Sequence, residues 1–223
     1  MDKILILVIA VGLLLPTMHQ SSLGAVMLLA GHKLHPLWFT PFIPLLFLIS
    51  CVGMGYAVVV WESAVSSSVF KRTRETQMLS SLAGVMIIVN VLYLVIRFGD
   101  IIISGKTALM FSSGFMSLLF WVEIALFAVP IYMFAGKKAR ENFSTMFKGA
   151  FLLMLAGSVY RFNAYIVAYN PGENWNYFPS VPELFITLGV IALEVALYIY
   201  IVKTYPILGG VPASRTAEAE GGP

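Results

Sequence analysis

Long apolar stretches alternate with short polar segments along the whole chain. Six stretches reach the roughly 20 residues that a helix needs to cross a hydrocarbon core about 30 Å thick. They cover residues 4–30, 37–68, 77–104, 109–136, 147–169 and 181–206. The pattern predicts an all-α fold, a polytopic transmembrane bundle of about six helices.

Two of these stretches depart from a plain helical pattern. Lys3 and the apolar residues after it resemble the start of a secretory signal, but no small-residue cleavage site follows promptly. Pro16 therefore predicts a kinked spanning helix. In the second stretch, three prolines between residues 36 and 44 predict an irregular entry before a continuous helix from about Leu45.

Composition supports a membrane protein, because 59% of the 223 residues are hydrophobic and 11% are charged. Soluble domains carry about 25% charged residues. The single cysteine, Cys51, excludes an intrachain disulfide and any cysteine-based zinc or iron-sulfur site built from this chain alone. Metal chemistry is therefore expected in partner proteins.

The basic residues indicate an orientation in the cytoplasmic (inner) membrane of a bacterium or archaeon. They cluster in alternate loops, at 71–74 and 137–148, whereas the opposite loops contain only Lys33 and Lys106. The positive-inside rule then places both termini of the multi-pass bundle, residues 1–208, in the cytoplasm. The Gly- and Glu-rich tail, 209–223, is predicted to be disordered. Because the net charge of +3 is explained by topology, nucleic acid is not a predicted partner.

Polar residues inside the spans are the candidate functional residues, since a charge at mid-bilayer costs about 2.5–3.5 kcal/mol even on an insertion scale. Arg97 and Asp100 share a face of the third span and are expected to pair. Arg161 lies at about the depth of Glu123 and Glu194, so it is expected to pair with one of these carboxylates. Structural ion pairs and a role in proton transfer or ligand binding both remain open.

Electron carriers can also be tested against the sequence. His19 is the one histidine inside a span, so no haem is predicted between facing helices. A quinone needs only an apolar slot with a few polar groups, which His19, Gln20, Ser21 and Ser22 could supply. Three tryptophans near span ends are expected to form interfacial belts, namely Trp38, Trp61 and Trp175.

Several motifs add a family resemblance that extends from Met1 to about Leu208. The first is LPTMHQSSLG at 15–24, followed by AGHKLHPLW at 30–38. Later matches are VIRFGD at 95–100, FWVE at 120–123, NPG at 170–172, and YFP at 177–179 with Glu183. Together they resemble the HybB-type membrane subunit of nickel-iron hydrogenases, within the polysulfide reductase NrfD family.

This resemblance implies a haem-free subunit that passes electrons between two partners. One is an extracytoplasmic ferredoxin-like iron-sulfur subunit, which is attached to the nickel-iron hydrogenase subunits. The other is a membrane quinone, menaquinone or ubiquinone. Members of that type usually carry about four further helices before the matched region. The chain thus resembles a C-terminal portion, and a separate N-terminal half is a further candidate partner, besides the lipid bilayer.

Two other interpretations stay open. The chain could be a structural membrane anchor or a C-terminal gene fragment without its own quinone site. Its buried charges also fit a proton-coupled transporter, although the sequence shows no internal inverted repeat.

Overall fold

Helices form most of the chain that the computed structural model describes, which comprises residues 2–69, 76–112, 114–172 and 179–205. Within these ranges there is no β-strand. The helices are α1 (Asp2–Leu29), α2 (Ile43–Val69), α3 (Thr76–Ile103), α4 (Thr107–Met110), α5 (Phe115–Phe134), α6 (Lys137–Glu141), α7 (Phe143–Phe162) and α8 (Val181–Thr204). A 3-10 turn at Gly31–Lys33 follows α1, and a π-helical turn at Asn163–Val167 continues α7.

Six of these helical segments are long and apolar enough to cross a membrane: Ile4–Leu29, Ile43–Ser68, Thr76–Ile103, Phe115–Phe134, Phe143–Val167 and Val181–Thr204. Each coincides with one predicted span. The all-α, polytopic fold is thereby confirmed, and the chain is a multi-pass membrane protein. The predicted tail at 209–223 lies outside the described residues.

The structure refines two of the predicted spans. The irregular entry to the second span is confirmed, because α2 begins at Ile43, whose N–H donates to the carbonyl of Thr40 at 3.2 Å. The fourth stretch is not one helix, since the short α4 ends at Met110 and α5 begins at Phe115. Gly105, with φ of 67°, adopts the left-handed conformation that glycine tolerates best and turns the chain from α3 towards α4.

Packing divides the chain into two units, Met1–Ala64 with Glu75–Tyr177, and Val65–Arg74 with Phe178–Pro223. The core of the first unit is built from α2, α3, α5 and α7. Its centre is aromatic: the rings of Tyr93 and Phe127 stack at 4.1 Å, and Tyr160 meets Tyr93 edge-on at 5.5 Å.

Glycine permits the closest approach between α1 and α2. A Cβ on Gly24 would lie 2.6 Å from the Cα of Pro44 and 2.9 Å from its nitrogen. Small residues allow such backbone contact between membrane helices. Gly24 therefore fixes where α1 crosses the start of α2.

Three connecting segments meet at one end of the first unit. The N–H of His35 donates to the carbonyl of Ala168 at 2.8 Å, and that of Asn170 to the carbonyl of Lys33 at 2.7 Å. Lys106 reaches across from the α3–α4 connection to the carbonyl of Phe39 at 2.7 Å. Partial burial lowers the pKa of His35, whose Nδ1 accepts from the N–H of Leu37 at 3.3 Å. These bonds fold residues 31–42 onto the helix ends.

The second unit is described through α8. Its start is defined by the N–H of Ser180, which donates to the Glu183 carboxylate at 2.7 Å, and by a proline in the first turn. Nearly all of its side chains are exposed, which suits an apolar helix whose surroundings are hydrocarbon.

Candidate functional site

The strongest polar feature of the first unit is a fully buried carboxylate, Glu123, in the third turn of α5. Its Oε2 accepts from the indole Nε1 of Trp38 at 2.8 Å and from the amide Nδ2 of Asn163 at 2.9 Å. Its Oε1 accepts from the Tyr93 hydroxyl at 3.4 Å and lies 3.7 Å from an Arg97 nitrogen. We call these five residues the Glu123 cluster.

Four separate elements supply the members of the Glu123 cluster. Tyr93 and Arg97 lie one turn apart on α3, so they share a face. Trp38 comes from the segment that precedes α2, where its N–H donates to the carbonyl of His35 at 2.9 Å. Asn163 begins the π-helical turn, an element frequent at functional sites. The cluster therefore joins a connecting segment to three spanning helices.

The partners of the Glu123 carboxylate in the described structure are three hydrogen-bond donors and one cation, Arg97. Arg97 balances the carboxylate charge. It is 1% exposed, and its guanidinium carbon lies 5.6 Å from the ring centroids of Phe120 and Tyr160. At 3.7 Å this ion pair is longer than a hydrogen bond. The Nε and one terminal nitrogen of Arg97 have no hydrogen-bond partner, nor has the Tyr160 hydroxyl.

The expected pairing of Arg97 with Asp100 is wrong. Among the described residues the ion pair of Arg97 is with Glu123, and Asp100 instead accepts weakly from the Ser104 hydroxyl at 3.5 Å. The i, i+3 spacing makes a local pair possible, but the neighbouring helix offers Arg97 a carboxylate that is more deeply buried.

The expected pairing of Arg161 with Glu123 is also wrong. The Arg161 guanidinium donates to neutral acceptors: the Gln20 side chain at 3.0 Å, the Gly157 carbonyl at 3.0 Å and the Phe47 carbonyl at 3.3 Å. The pairing was predicted from the distance of each residue to the ends of its span, which does not determine the direction of a side chain. Two residues correspond to about 200° around a helix, so Asn163 faces Glu123 while Arg161 faces away from it.

The other carboxylate considered for Arg161 was Glu194. It lies on α8, in the second unit, and its side chain is exposed. A pairing of Arg161 with Glu194 stays a prediction.

A second polar group surrounds the ring of Phe47 on α2. The ring lies 5.2 Å from that of Tyr160, 5.4 Å from that of Tyr165 and 5.4 Å from the Arg161 guanidinium carbon. Gln20 joins this group through Arg161. We call these five residues the Phe47 cluster. Gln20, Arg161 and Tyr165 are half-buried, so the cluster extends from the core towards the surface of α1.

The candidate residues on α1 differ in how far their side chains are buried. Gln20 and Ser21 are half-buried, whereas His19 and Ser22 are exposed. The fold therefore brings Gln20 to Arg161, and Arg97 to Glu123. It does not bring the eight candidate residues of the first unit into one site.

Three residues of these clusters were missed by sequence reasoning. Trp38 was expected in an interfacial belt, but it is 1% exposed and donates to Glu123. Asn163 and Tyr160 were not among the predicted site residues. A polar amide in an apolar span was an available signal for Asn163, since such groups face other helices. Trp61 is half-buried and stacks on Phe147 at 6.0 Å, and Trp175 lies outside the described residues.

Metal binding finds no support in the described ranges, where no three His, Cys, Asp or Glu side chains gather. Arginine, amide and phenol groups instead make both clusters sites for hydrogen-bond acceptors.

Comparison with known proteins gives two relatives. The chain is 34% identical over 211 residues to the probable Ni/Fe-hydrogenase 2 b-type cytochrome subunit of Escherichia coli, covering 93% of this chain and 54% of that protein. It is 28% identical over 226 residues to a protein of Nitratidesulfovibrio vulgaris, covering 96% of this chain and 58% of that one. The chain thus spans little more than half the length of the curated relatives it matches. No family model and no solved structure matches it.

These comparisons correct the assignment to the polysulfide reductase NrfD family. No family model supports it, and the E. coli relative carries the name of a hydrogenase b-type cytochrome subunit. The similarity to a hydrogenase membrane subunit is retained, and the NrfD assignment is not.

The same name contradicts the prediction of a haem-free subunit, because a b-type cytochrome holds haem. A haem held between His19 and either of the other two histidines does not fit the described residues. His19 precedes the end of α1 at Leu29 by ten residues, about 15 Å of helix, whereas His32 and His35 lie beyond that end. One iron atom cannot bind His19 together with a histidine that lies so far along the chain axis.

Proposed function

We propose that this chain is an electron-transfer membrane subunit of a hydrogenase-type complex that delivers electrons to quinone. The observation that carries the proposal is the 34% identity with the hydrogenase subunit of E. coli across 93% of this chain. The partners would be nickel-iron hydrogenase subunits and a ferredoxin-like iron-sulfur subunit. Both would lie outside the cytoplasm, with the termini of this chain inside it.

The Phe47 cluster is the part of the described chain best suited to a quinone. A quinone arrives from the bilayer, so its site must open towards the lipid-facing surface and offer an apolar wall with one or two donors. Phe47 supplies an aromatic wall. The Arg161 guanidinium and the Tyr165 hydroxyl, which is buried and has no hydrogen-bond partner in the described structure, supply donors for a carbonyl oxygen.

Charge favours the Phe47 cluster over the Glu123 cluster as the quinone site. Reduction places negative charge on the quinone oxygens, and Arg161, whose hydrogen-bond acceptors are neutral, would stabilise that charge. Arg97 is already balanced by Glu123. Glu123, with both oxygens occupied, holds the scaffold together and leaves the chemistry to its neighbours.

A structural anchor is the second candidate function. It is favoured by the same Glu123 cluster, which ties a connecting segment to three helices and needs no substrate. An anchor would still accompany the hydrogenase subunits, but replacing Arg161 would leave electron transfer unchanged.

Affinity purification of the tagged chain in mild detergent tests the partnership. We expect a nickel-iron hydrogenase and an iron-sulfur protein to co-elute in fixed ratio, and Arg161→Met to co-elute equally well, because Arg161 binds within the bundle. A tagged, unrelated multi-pass protein of the same membrane is the control. Purification of the folded chain without any hydrogenase subunit would contradict the proposal.

A further inference from the structure

The space between the two clusters contains buried donors that lack acceptors. Arg97 and Tyr160 are each 1% exposed, yet the Nε of Arg97 and the hydroxyl of Tyr160 have no hydrogen-bond partner. The terminal nitrogen of Arg97 that faces Glu123 makes an ion pair at 3.7 Å, which is longer than a hydrogen bond, and it has no hydrogen-bond partner either. Buried polar groups are almost always satisfied by protein or by ordered water. Three unsatisfied groups around one aromatic contact therefore indicate a bound acceptor.

The chemistry of these groups identifies the acceptor as neutral and small. Glu123 already balances the charge of Arg97, so an anion would leave a net buried charge. The guanidinium carbon lies 5.6 Å from the centroids of two buried rings, Phe120 and Tyr160, so a substrate ring does not fit against it. Water meets both requirements, and buried waters typically make about three hydrogen bonds.

Tyr160 also connects the two clusters. Its ring contacts both the Arg97 guanidinium, at 5.6 Å, and the ring of Phe47, at 5.2 Å. Phe47 in turn contacts Arg161, which binds Gln20. An interior row of groups therefore runs from the ion pair of Arg97 to the half-buried edge of α1.

We propose that Arg97 and Tyr160 bind an internal water molecule, and that this water and the Tyr160 hydroxyl deliver protons to a quinone reduced at the Phe47 cluster. The second half of the inference rests on the proposed function. Reduction of one quinone to quinol takes two electrons, from the partner iron-sulfur subunit, and two protons. For each of the two protons, Tyr160 gives its hydroxyl proton to the reduced quinone and regains one from the water, and the water regains its own proton from bulk solvent. Two such transfers complete the quinol.

Tyr160→Phe is a clean test because the hydroxyl has no protein partner to lose. Removing an unsatisfied polar group is nearly neutral for stability, whereas the ring contacts with Arg97 and Phe47 remain. The matched control is Tyr132→Phe, which removes the hydroxyl of a tyrosine that is 87% exposed.

The first measurement is hydrogen-dependent quinone reduction by the isolated complex in H2O and D2O, with benzyl viologen as an acceptor that bypasses quinone. We expect Tyr160→Phe to slow quinone reduction by about tenfold or more, with a larger solvent isotope effect, and to leave viologen reduction unchanged. Tyr132→Phe should match wild type in every assay. A variant Tyr160→Phe with the wild-type rate and isotope effect overturns the proton route.

The second measurement is independent of activity. Radiolysis in ¹⁸O-labelled water marks side chains next to bound water, and we expect Tyr160 to be labelled far more than Phe134, which is equally buried in the same core. Equal labelling of the two residues overturns the water site. A wild-type complex that reduces viologen but not quinone contradicts the proposed function instead, and leaves the labelling result to decide the water site.

Discussion

Replacing Glu123 with glutamine is expected to cause a large loss of folded protein. The change removes the negative charge that balances Arg97 and turns one acceptor of the Glu123 cluster into a donor that faces other donors. Breaking a buried ion pair on one side costs about 3–5 kcal/mol. Thermal unfolding of the purified chain in detergent, together with its folded yield, measures the effect.

Two comparisons make this test specific. Glu141→Gln changes an exposed carboxylate on α6 and should leave both quantities at wild-type values. The double variant Glu123→Gln with Arg97→Met removes both charges, so part of the loss should return. An unaltered Glu123→Gln protein, or a double variant that is merely additive, would show that the cluster does not stabilise the fold.

A single methyl group at Gly24 is expected to disturb the packing of α1 on α2. In Gly24→Ala the new Cβ would stand 2.6 Å from the Cα of Pro44, and because that atom is backbone, no side-chain rotation relieves the clash. Overpacking of this kind costs about 1–3 kcal/mol. The temperature of thermal unfolding should fall accordingly. The hydrogen bond from Arg161 on α7 to Gln20, which lies on the same helix as Gly24, should weaken.

Gly12→Ala is the matched control, since Gly12 also lies on α1 and a Cβ there would meet nothing within 4 Å. Its unfolding temperature should equal or slightly exceed that of wild type. Equal stability of the two variants would mean that α1 and α2 do not approach as closely as the structure indicates.

The fold was predictable because hydrocarbon imposes a simple rule on sequence. Residues in contact with lipid must be apolar and helical, so the six spans follow from length and hydropathy alone. The prolines around the start of α2 were informative for a similarly local reason. Pro36 and Pro41 precede the helix, and Pro44 lies in its first turn, where a missing N–H costs no hydrogen bond.

The partners of buried charges were not predictable in the same way. Arg97 and Asp100 do share one buried face of α3, as the spacing predicts, and Asn90 and Tyr93 are buried on the same helix. Whether Arg97 turns to Asp100 or to Glu123 depends on how α3 and α5 are rotated about their axes, which periodicity does not determine. The direction of Arg161 depended likewise on the rotation of α7.

Trp38 illustrates a further limit. A tryptophan near the end of an apolar stretch is typical of an interfacial belt. Here the segment before α2 folds back over the helix ends, through bonds such as that from His35 to Ala168, and carries the indole inwards to Glu123. Only long-range contacts distinguish these two environments.

The two clusters of the first unit suggest two different roles, one structural and one in binding. The Glu123 cluster has an ion pair and a set of donors fixed by four elements, which is the arrangement of a scaffold. The Phe47 cluster combines half-buried donors with an aromatic wall, which is the arrangement of a binding site. Loss of Glu123 should therefore reduce assembly, whereas loss of Arg161 should reduce electron transfer to quinone in an assembled complex.

Hydrogen-dependent quinone reduction tests the central claim most directly. Membranes that contain wild-type chain, Arg161→Met or no chain would be supplied with hydrogen and a soluble quinone analogue, with benzyl viologen reduction measured in parallel. We expect quinone reduction to be lost without the chain and to fall at least about tenfold in Arg161→Met, while viologen reduction persists. Quinone reduction at the wild-type rate in membranes that lack the chain would contradict the proposed function.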